Sequence, residues 1–167
     1  MNVMMLLEMA AQGCGERVAF TNGQDSLTYQ QLYDAAGAGA ALIRASGCRY
    51  VAMLDVSSLA VPVGLFASAW AGVPYVPLNY RLTDAEIRAL LARVEPALLI
   101  TSDQRAAALA DVAGLQIMPR DAFLQTARTA QPLAETWSMD QDDTGVLLFT
   151  SGTTGAPKAA VLRQKHL

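Results

Sequence analysis

Short apolar runs alternate with helical patterns through the middle of the chain, and this alternation constrains the fold more than any other feature. The runs that favour strands are YVAMLDV, VPYVPL, ALLITS and LQIM. Helices are predicted over about residues 58–71, from a capping box at Thr83 and Glu86 to Pro96, and over about residues 103–112. Repeated strand–helix–strand units with continuous apolar strands predict an α/β fold, with a mainly parallel sheet and helices on both faces.

The segment before these units predicts a helix, a hairpin and a second helix. MNVMMLLEMAAQG has an amphipathic pattern, and the two short runs that follow flank a turn containing glycine and aspartate. A second capping box, Thr28 with Gln31, begins a helix that we expect to end at Gly47. Its GAGAAL stretch resembles a dinucleotide fingerprint but lacks the third glycine and lies inside a helix, which favours small residues for close packing.

Composition indicates one soluble domain. The 167 residues are 53% apolar and 16% charged, which favours a packed core, and the net charge of −3 gives no general attraction for nucleic acid. Cys14 and Cys48 have no partner at ligand spacing, so we expect neither zinc nor a disulfide framework, as in a reducing cytoplasm. Residues 56–80 carry no charge and are long enough to span a bilayer, but their prolines and glycines favour a buried helix and a short strand.

A polar stretch over about residues 126–144 predicts a surface connection that leads into the apolar strand GVLLFT. The sequence TSGTTGAPK follows, in which hydroxyls alternate with two glycines before Lys158. Glycines let backbone N–H groups turn toward one concavity, hydroxyls add donors, and the lysine adds a positive charge. We therefore predict a phosphate-binding loop, against the alternative of a polar hairpin turn without a ligand.

The loop differs from a Walker A sequence. Only two residues separate its glycines, where a Walker A sequence has four, and Ala159 follows the lysine where that motif has serine or threonine. The AAVL that comes next favours a strand over a helix. Loop amides and side chains would then hold a phosphate without the N-terminus of a helix.

Three motifs resemble those of the AMP-forming adenylating superfamily, which includes acyl-CoA synthetases, aryl-CoA ligases, luciferases and peptide-synthetase adenylation domains. FTSGTTGAPKAAV (residues 149–161) resembles its phosphate-binding signature. SLTYQQL (26–32) resembles its early strand-to-helix motif, and AWAGVPYVPLNYRLTDAEI (69–87) its second core motif. The resemblance covers essentially the whole chain and implies that residues 1–167 are the incomplete N-terminal portion of an AMP-binding domain.

The resemblance implies a two-step activity: a carboxylate attacks the α-phosphate of Mg·ATP to release pyrophosphate, and a thiol, often coenzyme A, then takes the acyl group. It implies these residues as the site for the β- and γ-phosphates: Thr150, Ser151, Gly152, Thr153, Thr154, Gly155 and Lys158. No residue of this chain is implied as catalytic or as a metal ligand. Donors and an ammonium aimed at departing phosphates would stabilise the charge that develops there.

The second motif, VPLNYRLTDAEI, resembles the acyl-CoA synthetase version, because peptide synthetases usually have aspartate where Asn79 stands. Asn79, Arg81 and Thr83 are expected to serve as turn and helix-start residues and not as catalysts. Family members often have histidine where Gln164 falls and glycine where Ala159 falls. We expect His166, the sole histidine, to be exposed and unpaired.

The family places its adenine contacts, magnesium carboxylate, acyl pocket and catalytic lysine after this loop. Two hypotheses follow: the chain is the N-terminal fragment of an acyl-CoA synthetase for fatty-acid-like carboxylates and is inactive alone, or it is a free-standing, non-catalytic module that binds phosphates or a partner chain. Under either hypothesis we expect exposed apolar surface to favour self-association.

Overall fold

The computed structural model describes residues 2–138, 140–150 and 157–167. The helices are α1 Val3–Cys14, α2 Tyr29–Ser46, α3 Ala60–Ala71, α4 Asp84–Leu91, α5 Asp103–Leu109 and α6 Arg120–Thr129. The strands are β1 Val18–Asn22, β2 Asp25–Thr28, β3 Tyr50–Leu54, β4 Tyr75–Pro77, β5 Ala97–Thr101, β6 Leu115–Pro119, β7 Thr144–Thr150 and β8 Lys158–Arg163. A 3-10 turn, Gln164–His166, follows β8.

The main sheet has the strand order β6-β5-β3-β4-β7-β8, and β1 and β2 form a separate antiparallel hairpin. The neighbours from β6 to β7 pair in parallel, whereas β8 returns antiparallel to β7. The predicted mainly parallel sheet is confirmed. The carboxyl ends of β3, β4, β5, β6 and β7 consequently lie along one edge.

Side chains of the central strands alternate between two hydrophobic clusters, one on each face of the sheet. Val51 and Met53 of β3 contribute to the cluster covered by α1, α2, α3 and α6. Ala52 and Leu54 contribute to the cluster covered by α4 and α5. Helices on both faces are therefore confirmed, and the continuous apolar runs follow from burial on both sides.

Local signals placed the ends of several helices correctly. Both predicted capping boxes form, at Thr28 with Gln31 and at Thr83 with Glu86. Gly47 ends α2 with a φ of 67°, a left-handed conformation that glycine adopts without a steric penalty.

The two glycines of GAGAAL lie where α2 packs closely against α3. A Cβ built on Gly39 would lie 2.9 Å from Cβ of Ala67, and one built on Gly37 would lie 3.2 Å from the ring of Trp70. Close packing of small residues within a helix is confirmed. Residues 56–80 divide mainly into α3 and β4, and among the described residues no helix is both long and apolar enough to traverse a bilayer.

Helix α6 was not predicted from the sequence, and it overlaps the first part of the connection expected over residues 126–144. Only Phe123 and Ala127 of α6 are buried, so its apolar pattern is too sparse to recognise in the sequence. Further along, the indole N–H of Trp70 donates to the carbonyl of Glu135 at 2.8 Å, and the rings of Trp70 and Trp137 lie 5.3 Å apart. Leu133 and Trp137 of this segment thus pack, partly buried, against the first hydrophobic cluster.

Candidate functional site

Thr150 and Lys158 face each other at the loop end of the β7–β8 pair. They are the last register partners of this antiparallel ladder, which begins with Thr144 opposite Arg163. Both residues are exposed, and the Thr150 hydroxyl donates to the carbonyl of Lys158 at 3.3 Å. The predicted strand after the loop is confirmed as β8.

The structure thus describes the two ends of the predicted phosphate loop. The other predicted site residues lie outside the described residues: Ser151, Gly152, Thr153, Thr154 and Gly155. What the described part establishes is that Thr150 and Lys158 are brought together on neighbouring strands.

These two residues lie at the edge of the sheet where α/β folds commonly bind ligands. Strand β7 runs parallel to β4, with Val146 opposite Tyr75, so Thr150 lies beyond the carboxyl end of β4. The chain leaves β4 along the same edge and enters the turn that precedes α4. The second core motif and the phosphate loop are therefore neighbours at one edge of the sheet.

The second motif forms a turn and a capped helix start, as predicted. The backbone N–H of Arg81 donates to Oδ1 of Asn79 at 3.0 Å. Thr83 and Glu86 exchange hydrogen bonds, with the Thr83 N–H donating to Oε2 of Glu86 at 2.8 Å. Donation from the backbone and then the hydroxyl of Thr83 lowers the pKa of Glu86, which favours its charged form at the start of the helix.

A buried carboxylate at the same sheet edge was not predicted from the sequence. Asp55 follows β3 directly, and its side chain is 2% exposed. It accepts hydrogen bonds from Arg120 of α6 at 2.8 Å and from the Ser58 hydroxyl at 2.5 Å. Its one signal in the sequence is its place directly after an apolar strand, and its arginine partner lies 65 residues away.

Gln164 and His166 lie in the 3-10 turn that follows β8. Gln164 is buried, and its Oε1 accepts the backbone N–H of Val3 at 3.2 Å, which joins the start of α1 to the end of β8. The expectation for His166 is partly wrong: the residue is exposed, but its Nδ1 accepts the backbone N–H of Arg163 at 3.2 Å.

In the part of the chain that the structure covers, no side chains are grouped as a metal site and the two cysteines are not paired. Among those residues no group of three or more His, Cys, Asp or Glu side chains could hold a metal ion. Cys48 is buried, Cys14 is half-exposed, and both are free thiols.

Comparison with known proteins places these features in a family. Residues 7–167 match the family described as AMP-binding enzyme. A feruloyl-CoA synthase of an Amycolatopsis species is 33% identical over 152 residues, which are 89% of this chain and 30% of that protein. An isonitrile lipopeptide synthase of Streptomyces coeruleorubidus is 30% identical over 170 residues, covering 98% of this chain and 11% of that protein.

Among solved structures, VinN in complex with 3-methylaspartate superposes with a TM-score of 0.87 at 27% identity. That match covers 98% of this chain and 48% of the VinN chain. The present chain spans about a third or less of the length of the two curated relatives, the feruloyl-CoA synthase and the isonitrile lipopeptide synthase. The match over residues 7–167, together with the parallel sheet and the terminal hairpin of β7 and β8, shows that this chain belongs to the family of AMP-binding, AMP-forming adenylating enzymes.

Proposed function

We propose that this chain supplies the ATP phosphate-binding loop of an acyl-CoA synthetase, which joins a fatty acid or related carboxylate to coenzyme A through an acyl adenylate. The observation that carries the proposal is the register of Thr150 with Lys158 at the carboxyl edge of a parallel sheet. Directly opposed residues of an antiparallel ladder project on the same face, which supports a site that uses both the Thr150 hydroxyl and the Lys158 ammonium, at the ends of a segment rich in glycine and hydroxyl groups.

The proposed ligands of the β- and γ-phosphates are those that the sequence indicates: Thr150, Ser151, Gly152, Thr153, Thr154, Gly155 and Lys158. Lys158 would hold the departing pyrophosphate through its ammonium group, because charge accumulates there as the α–β bond breaks. ATP would enter with Mg²⁺, for which the described residues offer no cluster of ligands.

Coenzyme A is the proposed thiol acceptor. Two features support it: Asn79 stands where peptide synthetases usually have aspartate, and a relative 33% identical is named feruloyl-CoA synthase. We also propose a cytoplasmic location, which suits the free thiols of Cys14 and Cys48.

Self-association through the terminal hairpin is a further part of the proposal. Leu148 of β7 and Val161 of β8 are 37% and 49% exposed. Sedimentation of the wild-type chain should show dimers or larger species that Val161→Lys reduces, whereas identical monomeric profiles would contradict it.

The 167 residues by themselves should bind phosphates without catalysing adenylation. They span 30% of the feruloyl-CoA synthase, and a phosphate loop alone does not position a carboxylate for attack. In an ATP–pyrophosphate exchange assay with fatty and aromatic acids, we expect no exchange by this chain. Exchange above a protein-free control would contradict the proposal of inactivity.

A further inference from the structure

Arg93 lies just beyond the end of α4, and its backbone is held firmly. Leu91, two residues before it, and Val94, the next residue, are 1% and 2% exposed and belong to the second hydrophobic cluster. The Arg93 N–H donates to the carbonyl of Leu90 at 3.0 Å. The side chain, which is exposed, therefore extends from a fixed point.

That side chain contacts β7 and the residue that precedes β8. The guanidinium carbon lies 5.1 Å from the centroid of the Phe149 ring, which places the cation over the ring face. One guanidinium nitrogen, Nη1, donates to the carbonyl oxygen of Pro157. Phe149 precedes Thr150 and Pro157 precedes Lys158, so each contact is made one residue from an end of the phosphate loop.

Helix α4 thus joins the two motifs at this edge of the sheet. Its first turn is fixed by the capping box of Thr83, within the second core motif. Just beyond its other end, Arg93 donates a hydrogen bond to the Pro157 carbonyl. An arginine suits this task better than most side chains, because its planar guanidinium can stack on a ring and donate a directed hydrogen bond at once.

We propose that Arg93 is a positioning residue, which fixes the two ends of the phosphate loop against α4 and so sets where Lys158 presents its ammonium group. This inference rests on the proposed role of Lys158 in phosphate binding. Arg93 itself would not contact the phosphates and would act through the Phe149 ring and the Pro157 carbonyl.

The first experiment measures the geometry without any ligand. Trypsin cleaves after Lys158, and mass spectrometry follows the peptide that begins at Ala159. Arg93→Ala should speed this cleavage about five-fold, the size expected when a cation–π contact and a hydrogen bond that restrain the segment are lost. Arg93→Lys keeps the charge but lacks the planar group that stacks and donates at once, so its rate should fall between those of the wild type and Arg93→Ala.

Arg88→Ala is the matched control. Arg88 lies on α4, and its loss changes the net charge equally, but its guanidinium binds Asp111 at 2.7 Å. Its cleavage rate after Lys158 should equal the wild-type rate. Thermal unfolding of each variant separates a local effect from global destabilisation, since Arg93→Ala should leave the midpoint near that of Arg88→Ala.

The second experiment measures inorganic pyrophosphate binding by calorimetry. Arg93→Ala should weaken it about five-fold in the wild-type chain and have no further effect in a Lys158→Ala background, because both changes act on one interaction. Unchanged cleavage and affinity in Arg93→Ala, equal effects in Arg88→Ala, or additivity with Lys158→Ala would overturn the inference. Absence of pyrophosphate binding in the wild type would instead overturn the proposed function, and the cleavage rates would still decide the role of Arg93.

Discussion

Thr150 lies opposite Lys158 at the end of the β7–β8 ladder, and its hydroxyl donates to the Lys158 carbonyl at 3.3 Å. The two residues that flank segment 151–157 therefore lie side by side. The parallel pairing of β7 with β4 places this point at the carboxyl edge of the sheet. Lys158 thereby lies at the edge of the sheet where α/β folds commonly bind ligands.

Close packing between α2 and α3 predicts that Gly39→Ala destabilises the chain. The new methyl group would lie 2.9 Å from Cβ of Ala67, which belongs to α3 and cannot rotate away. We expect a loss of about 1–2 kcal/mol in the free energy of unfolding by urea. Gly13→Ala is the control: a Cβ there meets nothing within 4 Å, so it should be neutral or stabilise by about 0.5 kcal/mol. Equal effects of the two changes would refute the packing argument.

The capping box of α4 predicts a pH-dependent cost for Thr83→Ala. Thr83 lowers the pKa of Glu86, so the folded state gains stability above the unfolded pKa and loses it as the pH falls through the lowered pKa. Removing the hydroxyl should cost about 1 kcal/mol at neutral pH, raise the Glu86 pKa measured by NMR, and make the cost smaller in acid.

Thr28→Ala tests whether this pH dependence comes from the carboxylate. Its capping partner, Gln31, forms the same pair of hydrogen bonds but does not titrate. Thr28→Ala should therefore cost a similar amount at neutral and acidic pH. A Glu86 pKa that stays the same in Thr83→Ala would show that the Thr83 hydroxyl does not stabilise the carboxylate.

The buried carboxylate of Asp55 predicts that Arg120→Met is costly. Without Arg120, the Asp55 side chain, 2% exposed, keeps only the hydroxyl of Ser58 as a described partner. We expect a loss of about 2 kcal/mol, less than for a fully buried pair because Arg120 is 28% exposed. Arg128→Met, on the same helix, breaks an ion pair with the exposed Asp25 and should cost less than about 1 kcal/mol. Similar losses in urea unfolding would contradict the special role of the Asp55 pair.

Features that depend on residues close together in the chain could be predicted from the sequence. The capping boxes at Thr28 and Thr83, the glycine end of α2 and the continuous apolar strands each depend on contacts within a few residues. The alternation of these elements then predicted the parallel sheet, since such units connect parallel strands. The phosphate loop could be predicted because the residues that suggest it are consecutive in the sequence, and it stays a prediction.

Features that depend on distant partners could not be predicted in this way. The ion pair of Asp55 joins residues 65 positions apart, and the bond from Arg93 to Pro157 joins residues 64 positions apart. Neither partner shows a local pattern that indicates the other. Helix α6 was missed for a related reason, because most of its surface is polar and only the fold supplies the neighbours of Phe123.

The central claim is that Lys158 binds phosphate groups at the edge of the sheet. Lys165→Ala is the matched control, because Lys165 follows the same strand but binds Asp142 at 2.5 Å, toward the other end of the hairpin. The most direct test is calorimetric titration of inorganic pyrophosphate into the wild-type chain, Lys158→Ala and Lys165→Ala. The account predicts binding that Lys158→Ala weakens about ten-fold and Lys165→Ala leaves unchanged, the size expected for loss of a charge-assisted hydrogen bond. Equal affinity in the wild type and Lys158→Ala would contradict it.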